Sequence, residues 1–203
     1  RERSCALVVG FGESTGAGLY NSAALLKPDG SRRLYRKAHL FGAENIFFQP
    51  GDIPLEVHDL NGVKLGIMIC FDWFFPETCR TLALKGAQII CHPVNFILPW
   101  GQKAMEIRSL ENRIFSVTAN RYGTEARGEY SFTFTGKSQI TSPRGEVLAQ
   151  APESEDAVTV VEIDPDDAAD KRINKHTDLF NDRRPELYKE ITSLHPSIKN
   201  RGK

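Results

Sequence analysis

Cys70 ends the apolar run Gly66-Ile67-Met68-Ile69, and Phe71-Asp72-Trp73-Phe74-Phe75-Pro76-Glu77 follows it. The β-branched run reads as a strand, and the proline with its trailing glutamate as the start of a helix. A thiol on so sharp a strand-to-helix turn is presented outward, where backbone N–H groups point at a reacting atom. The plain alternative is a buried cysteine that acts as a small hydrophobe. An unperturbed thiol, with a pKa of about 8.5, is only a few per cent thiolate at neutral pH, so nucleophilic work needs a base or cation nearby. Lys37, in Tyr35-Arg36-Lys37-Ala38-His39-Leu40, and Glu44, in Phe41-Gly42-Ala43-Glu44, are charged groups of the right kind. A solvated strand lysine is the ordinary alternative for Lys37. Lysine, glutamate and a turn-mounted cysteine are the parts of acyl transfer through a thioester.

The elements that must position them are legible from pattern. Ala6-Leu7-Val8-Val9 reads as a buried strand running into a turn at Gly10-Phe11-Gly12-Glu13. Residues 19–26 and 34–40 flank Pro28-Asp29-Gly30 and read as a hairpin. Residues 55–60 and 63–69 flank Asn61-Gly62, a dipeptide suited to a type I′ turn because both positions tolerate positive φ. In the return strand Val63, Leu65, Ile67 and Ile69 share one face, and Lys64, Gly66, Met68 and Cys70 the other.

Helices are expected over 76–85, closed by Gly86, and over 104–114; strands over 87–91 and 115–119. A loop is expected around 122–130, then a hairpin of 132–140 and 147–149 about Pro143-Arg144-Gly145, and a last strand over 158–163. Alternating strands and helices with several hairpins indicate an α/β domain with mixed sheets over residues 1–170. The polar tail, 171–203, cannot build a core and must pack on another surface or move freely.

With 203 residues and a formal net charge of zero, the chain is long enough for a sizeable core and has no global field to favour nucleic acid or an anionic membrane. Its apolar stretches are strand-length, not membrane-spanning, and residues 1–5 do not read as a signal peptide. Four cysteines without C-x-x-C pairing suit reduced thiols in the cytoplasm, with Cys5, Cys79 and Cys91 expected as core thiols. Five scattered histidines form no metal-type pair, so no metal site is expected. Asp166, Asp167 and Asp170 read as an acidic helix start, and Arg108, Glu111 and Arg113 as a helix-face ion network.

Several segments, in order, resemble the nitrilase superfamily of carbon–nitrogen hydrolases. They are Leu19-Tyr20-Asn21-Ser22, the Tyr-Arg-Lys segment, Pro50-Gly51-Asp52, Cys70-Phe71-Asp72 with Phe75-Pro76-Glu77, and His92-Pro93-Val94-Asn95. Arg108-Ser109-Leu110-Glu111-Asn112-Arg113, Thr118-Ala119-Asn120-Arg121 and Thr135-Gly136-Lys137-Ser138-Gln139-Ile140 complete the set, which spans residues 5–188.

The resemblance implies a four-layer α-β-β-α sandwich with two mixed sheets and a Glu-Lys-Cys triad. Lys37 matches its lysine, Cys70 its nucleophile, and Glu44 an additional glutamate that holds lysine and substrate. The family's base glutamate belongs to an earlier Pro-Glu segment with no counterpart before Lys37, so the expectation is a domain lacking its first strands and helices. Glu13 matches a different position, with a supporting role.

The implied chemistry is hydrolysis of an amide, carbamoyl or nitrile C–N bond of a small neutral substrate, without metal or organic cofactor. Lys37 and the backbone N–H of Phe71 would bind the developing negative charge. Trp73 and Phe74 stand where branches that accept carboxylates commonly carry an arginine, so an apolar wall is expected there, although both rings could be core. Asn95 is expected either at the substrate or in a structural turn. Cys70-Phe71-Asp72 favours amide over nitrile chemistry. The resemblance further implies a homodimer or larger homo-oligomer, paired through the 76–85 helix with its Thr81, Leu82 and Leu84. The tail would cross between subunits on Ile173, Leu179, Phe180, Leu187, Tyr188 and Ile191. The rival expectation is a truncated, inactive scaffold that binds a partner. A cysteine protease is disfavoured because no histidine sits in a partner motif.

Overall fold

The protein is described by a computed structural model for residues 5–194, so part of the N-terminal stretch considered for a signal peptide, and the end of the tail, lie outside the described residues. The chain divides into two compact units, Arg1–Asp170 and Lys171–Lys203.

The first unit begins with three antiparallel strands, β1 (Leu7–Thr15), β2 (Gly18–Leu26) and β3 (Arg32–Arg36). A single helical turn, α1 (Glu44–Phe47), follows, then the hairpin β4 (Val57–Leu60) and β5 (Val63–Ile67). The 3-10 turn Cys70–Phe74 leads into α2 (Pro76–Leu84), β6 (Ile89–Val94), α3 (Gly101–Asn112) and β7 (Phe115–Asn120). A separate hairpin, β8 (Tyr122–Arg127) and β9 (Tyr130–Thr135), precedes β10 (Gln139–Thr141) and β11 (Val147–Gln150). The large sheet has the order β11-β10-β7-β6-β5-β4, parallel through β5, β6 and β7 and antiparallel at both edges. That is the mixed α/β architecture expected.

Two sheets meet through a core of Ala23, Leu25, Tyr35, Leu65, Ile67 and Ile69, supplied by β2, β3 and the β5 strand with its extension. The opposite face of the large sheet carries α2 and α3. Gly66 explains how closely α2 sits: a Cβ there would lie 2.8 Å from Ile90 Cδ1 and 3.2 Å from Leu82 Cδ1. On α3, the buried Ser109 hydroxyl donates to Ser116 Oγ of β7 at 2.9 Å. On the outer face of the small sheet Leu7, Val9 and Leu26 are exposed.

Six expectations need correction. Residues 10–13 are not a turn: they continue β1 in unbroken register, Gly10 opposite Ala23 and Glu13 opposite Tyr20. Much of that strand is exposed rather than buried. Residues 122–130 fold into β8 and the start of β9, because alternating side chains there find a ladder partner despite the charges. The expected 132–140 strand is broken where Gly136 and Lys137 take positive φ. Residues 158–163 pair with no strand among the described residues, which leaves Val158 and Val160 95% and 87% exposed. Cys5 is exposed, unlike the buried Cys79.

The second unit contains a short hairpin, β12 (Arg172–Asn174) and β13 (Thr177–Asp178), and two 3-10 turns. Ile173, Leu187 and Ile191 are each more than half exposed in it. Of the residues named for the outer face of α2, Leu84 is exposed but Leu82 is fully buried against the sheet.

Candidate active site

Lys37 follows directly on β3. Its N–H donates to Asn21 O at 2.8 Å and its C=O accepts from Gly51 N at 2.9 Å, so both neighbours fix its backbone. Gly51 makes that approach possible: a Cβ there would lie 2.1 Å from Arg36 O. The Lys37 side chain is 1% exposed, and Nζ donates to Glu44 Oε2 at 2.6 Å. An ammonium so buried must be paired. Glu44 is fully engaged in holding it: Oε2 also accepts from Phe41 N at 2.8 Å, and Oε1 from Asn21 Nδ2 at 3.0 Å.

Cys70 opens its 3-10 turn with φ of 40°, a left-handed conformation that costs a non-glycine residue about 1–2 kcal/mol. Burial pushes its thiol up, against the Lys37 ammonium and the backbone N–H groups of Asn95 and Phe71, which favour the thiolate; Glu44 adds to the upward shift. Lys37, Glu44, Cys70 and Asn95 all line one open chamber of about 900 Å³. Phe41, Phe47, Phe48, Ile97, Phe132 and Phe134 give it an apolar wall. Arg121 also lines it, but its guanidinium is ion-paired to Glu125 at 2.7 Å and lies over the Phe134 ring.

Trp73 and Phe74 are not part of that wall. Trp73 is buried edge-on to Phe96 and borders only a small recess beside Cys70. Phe74 is half exposed on the outside. The 3-10 turn rotates successive residues by about 120° each, so only part of the 70–74 segment can face the chamber. Glu13 lies away from the thiol, accepting from Ser22 Oγ at 2.7 Å and from both Arg36 Nε and Nη2. Arg108 and Glu111 form the expected helix pair at 3.0 Å, with Arg108 Nε donating to Trp73 O; Arg113 instead ends α3 in a left-handed conformation. The acidic stretch is a single 3-10 turn, Pro165–Ala168. Among the described residues no three His, Cys, Asp or Glu side chains gather as a metal cluster.

Sequence reasoning passed over two buried groups that hold the turn. Asp72 is fully buried and accepts four hydrogen bonds: from Tyr35 Oη (2.7 Å), Ile69 N (2.9 Å), His39 N (3.1 Å) and His39 Nδ1 (2.8 Å). It ties the segment around Lys37 to the turn that bears Cys70. An acid at the third position of a helical turn is a capping signal, and that was the available clue. His92 is the other: its Nε2 lies 2.9 Å from Cys70 O, and burial lowers its pKa to about 4. Nothing local to His92-Pro93-Val94-Asn95 shows that the ring reaches the neighbouring strand's end.

The sequence pattern of the carbon-nitrogen hydrolase family matches residues 1–173. The chain belongs to the carbon-nitrogen hydrolase family. It is 51% identical over 188 residues to a protein of Pyrococcus abyssi (strain GE5 / Orsay) named nitrilase, covering 93% of this chain and 70% of that one. A citrullinase of Francisella tularensis is 36% identical over 201 residues, covering 91% and 69%. The fold superimposes with a TM-score of 0.77, at 27% identity, on an amidase from Nesterenkonia sp. AN1, covering 92% and 69%. That structure shows acrylamide joined to the amidase's active-site cysteine by Michael addition. The family match and the shared fold therefore agree.

Proposed function

We propose that Cys70 is the nucleophile of a hydrolase that cleaves a non-peptide C–N bond in a small neutral amide, carbamoyl compound or nitrile. The observation that carries this reading is one chamber bringing together three features. These are a buried Lys37 ammonium on Glu44, a thiol on a strained turn, and the backbone N–H groups of Asn95 and Phe71, which favour its thiolate. For an amide, the thiol gives its proton to a base and the sulfur bonds to the carbonyl carbon. The oxygen takes the electron pair and is met by Lys37 and Phe71 N–H. Collapse breaks the C–N bond and protonated amine leaves; water then adds to the thioester, releasing acid and thiolate. One oxyanion donor is worth about 3–4 kcal/mol of barrier. No cofactor enters any step.

The apolar wall and the paired state of Arg121 favour a neutral substrate. Cys70-Phe71-Asp72 favours amides, and because one relative is named nitrilase the assay must include nitriles. Glu44 is the acidic residue lining the chamber, and both its oxygens are occupied, which fits a group that positions Lys37 rather than a free base. These residues alone should therefore show little or no turnover.

The test incubates the chain with short aliphatic amides and nitriles and searches for an acyl group on Cys70 by mass spectrometry. Cys70→Ala should give none, and iodoacetamide should block the reaction. In a form that turns over, Lys37→Ala should lower kcat far more than it raises KM, because the ammonium acts on the transition state. Acylation at another residue would overturn the assignment. No acylation of wild type under any condition would favour the inactive-scaffold reading.

A further inference from the structure

His92 is buried in β6, its ring tilted against Phe96. Its Nε2 lies 2.9 Å from the Cys70 carbonyl oxygen, and Nδ1 lies 3.4 Å from Thr118 Oγ1. A carbonyl only accepts, so Nε2 carries the proton and Nδ1 is left to accept from the threonine hydroxyl. The Cys70 C=O and the Phe71 N–H belong to one peptide plane, and the chain has no cis bond among its described residues. In a trans peptide these two groups point in opposite directions. Whatever fixes the carbonyl therefore fixes the aim of the N–H, and Phe71 N–H is one of the two that act on the Cys70 sulfur.

We infer that His92 is a positioning residue: by binding the Cys70 carbonyl it locks the rotation of the Cys70–Phe71 peptide, so that Phe71 N–H stays aimed at the thiolate and the developing oxyanion. The strained φ of Cys70 sets the turn in a sparsely populated conformation that surrounding contacts must hold. Burial keeps the ring neutral down to about pH 4, so its donor and acceptor ends do not exchange as the thiol titrates. The oxyanion half of this inference rests on the hydrolase reading above. The thiolate half does not.

The experiment measures Cys70 alkylation by iodoacetamide against pH in the full chain, with the labelled peptide quantified by mass spectrometry. Thiolate displaces iodide and an S–C bond forms, so the rate follows the thiolate fraction. The variants are His92→Leu, which has no donor; His92→Asn, whose amide is too short to reach the carbonyl; and His92→Gln, whose amide nitrogen reaches the place of Nε2. Lys37 and Glu44, which face the thiol, and Asp72, which faces His92, are the same in all of them.

Losing one hydrogen bond to a charged acceptor should raise the alkylation midpoint by about one pH unit in the Leu and Asn variants, and Gln should restore it. Where the Leu variant does not fold, by circular dichroism, the polar Asn variant decides. In a form that turns over, kcat should fall about 10–100-fold with KM nearly constant. A wild-type midpoint in both Leu and Asn, or a Gln variant that behaves like Leu, would overturn the inference. A midpoint that shifts as expected in a chain that never acylates would overturn the hydrolase reading and leave the positioning role standing.

Discussion

Asp72→Asn isolates the buried carboxylate that joins the two halves of the site. Oδ2 accepts from Tyr35 Oη and Ile69 N, and Oδ1 from His39 N and His39 Nδ1. The amide has almost the same shape but turns one of these oxygens into an NH₂ group. If it replaces Oδ2, Ile69 N–H faces another donor, and Tyr35 Oη, which already accepts from Ala38 N, must reverse its hydrogen bond. If it replaces Oδ1, the imidazole can change tautomer but His39 N–H cannot. Either orientation leaves at least one buried backbone donor unsatisfied, at about 1–3 kcal/mol, and forfeits charge assistance on the rest.

The expected loss is about 3 kcal/mol, set against a whole-domain stability of about 5–15 kcal/mol. For a chain of this size it lowers Tm by about 6–12 °C. Urea unfolding followed by tryptophan fluorescence measures it directly, with an unchanged m-value showing that only stability moved. Asp59→Asn is the control. Its exposed carboxylate pairs with Lys64 and caps Gly62 N, and its removal should leave the unfolding midpoint nearly unchanged. An Asp72→Asn protein within about 1 kcal/mol of wild type would refute the reasoning that this network holds the turn.

Further outcomes follow from single observations. Because His92 is held at a pKa of about 4, below its ordinary 6.5, the unfolded chain takes a proton first as pH falls. Its contribution to stability is whole above about pH 6.5 and is lost toward pH 4, by up to about 3 kcal/mol. Urea midpoints at pH 7.5 and 4.5 should therefore differ more in wild type than in His92→Gln, and equal differences would refute this. Gly51→Ala forces a Cβ against Arg36 O and should destabilise by about 1–3 kcal/mol, so a wild-type Tm would show that the 49–52 segment gives way freely. The exposed apolar residues of the second unit should anchor a dimer or larger assembly. Sedimentation should find at least a dimer, with deletion from Lys171 onward shifting it toward monomer; a stable monomer, or an oligomer indifferent to the deletion, would exclude the proposal.

What the sequence determined by itself was local chemistry and local geometry. The Asn61-Gly62 hairpin, the proline-initiated α2 and the alternation of Leu65, Ile67 and Ile69 are properties of a few adjacent residues, and they appear as expected. The sharp turn at Cys70 was legible for the same reason, because a strand pattern and a helix start stand only a few residues apart. Patterns that depend on a partner were not legible. Residues 122–130 became a strand pair because 130–135 lie opposite, while the far more β-branched 158–163 found no ladder among the described residues.

Candidate nucleophile, lysine and glutamate could be named from residue type and order, and the fold places all three on one chamber. Which neighbours act on them was decided only in three dimensions. Phe74 belongs to the turn yet faces outward, whereas His92 is 22 residues away and touches the Cys70 carbonyl, because β6 lies beside the extended end of β5. Hydrogen bonds that cross between strands leave no periodicity in either strand's sequence, and only the packed sheets bring their two ends together.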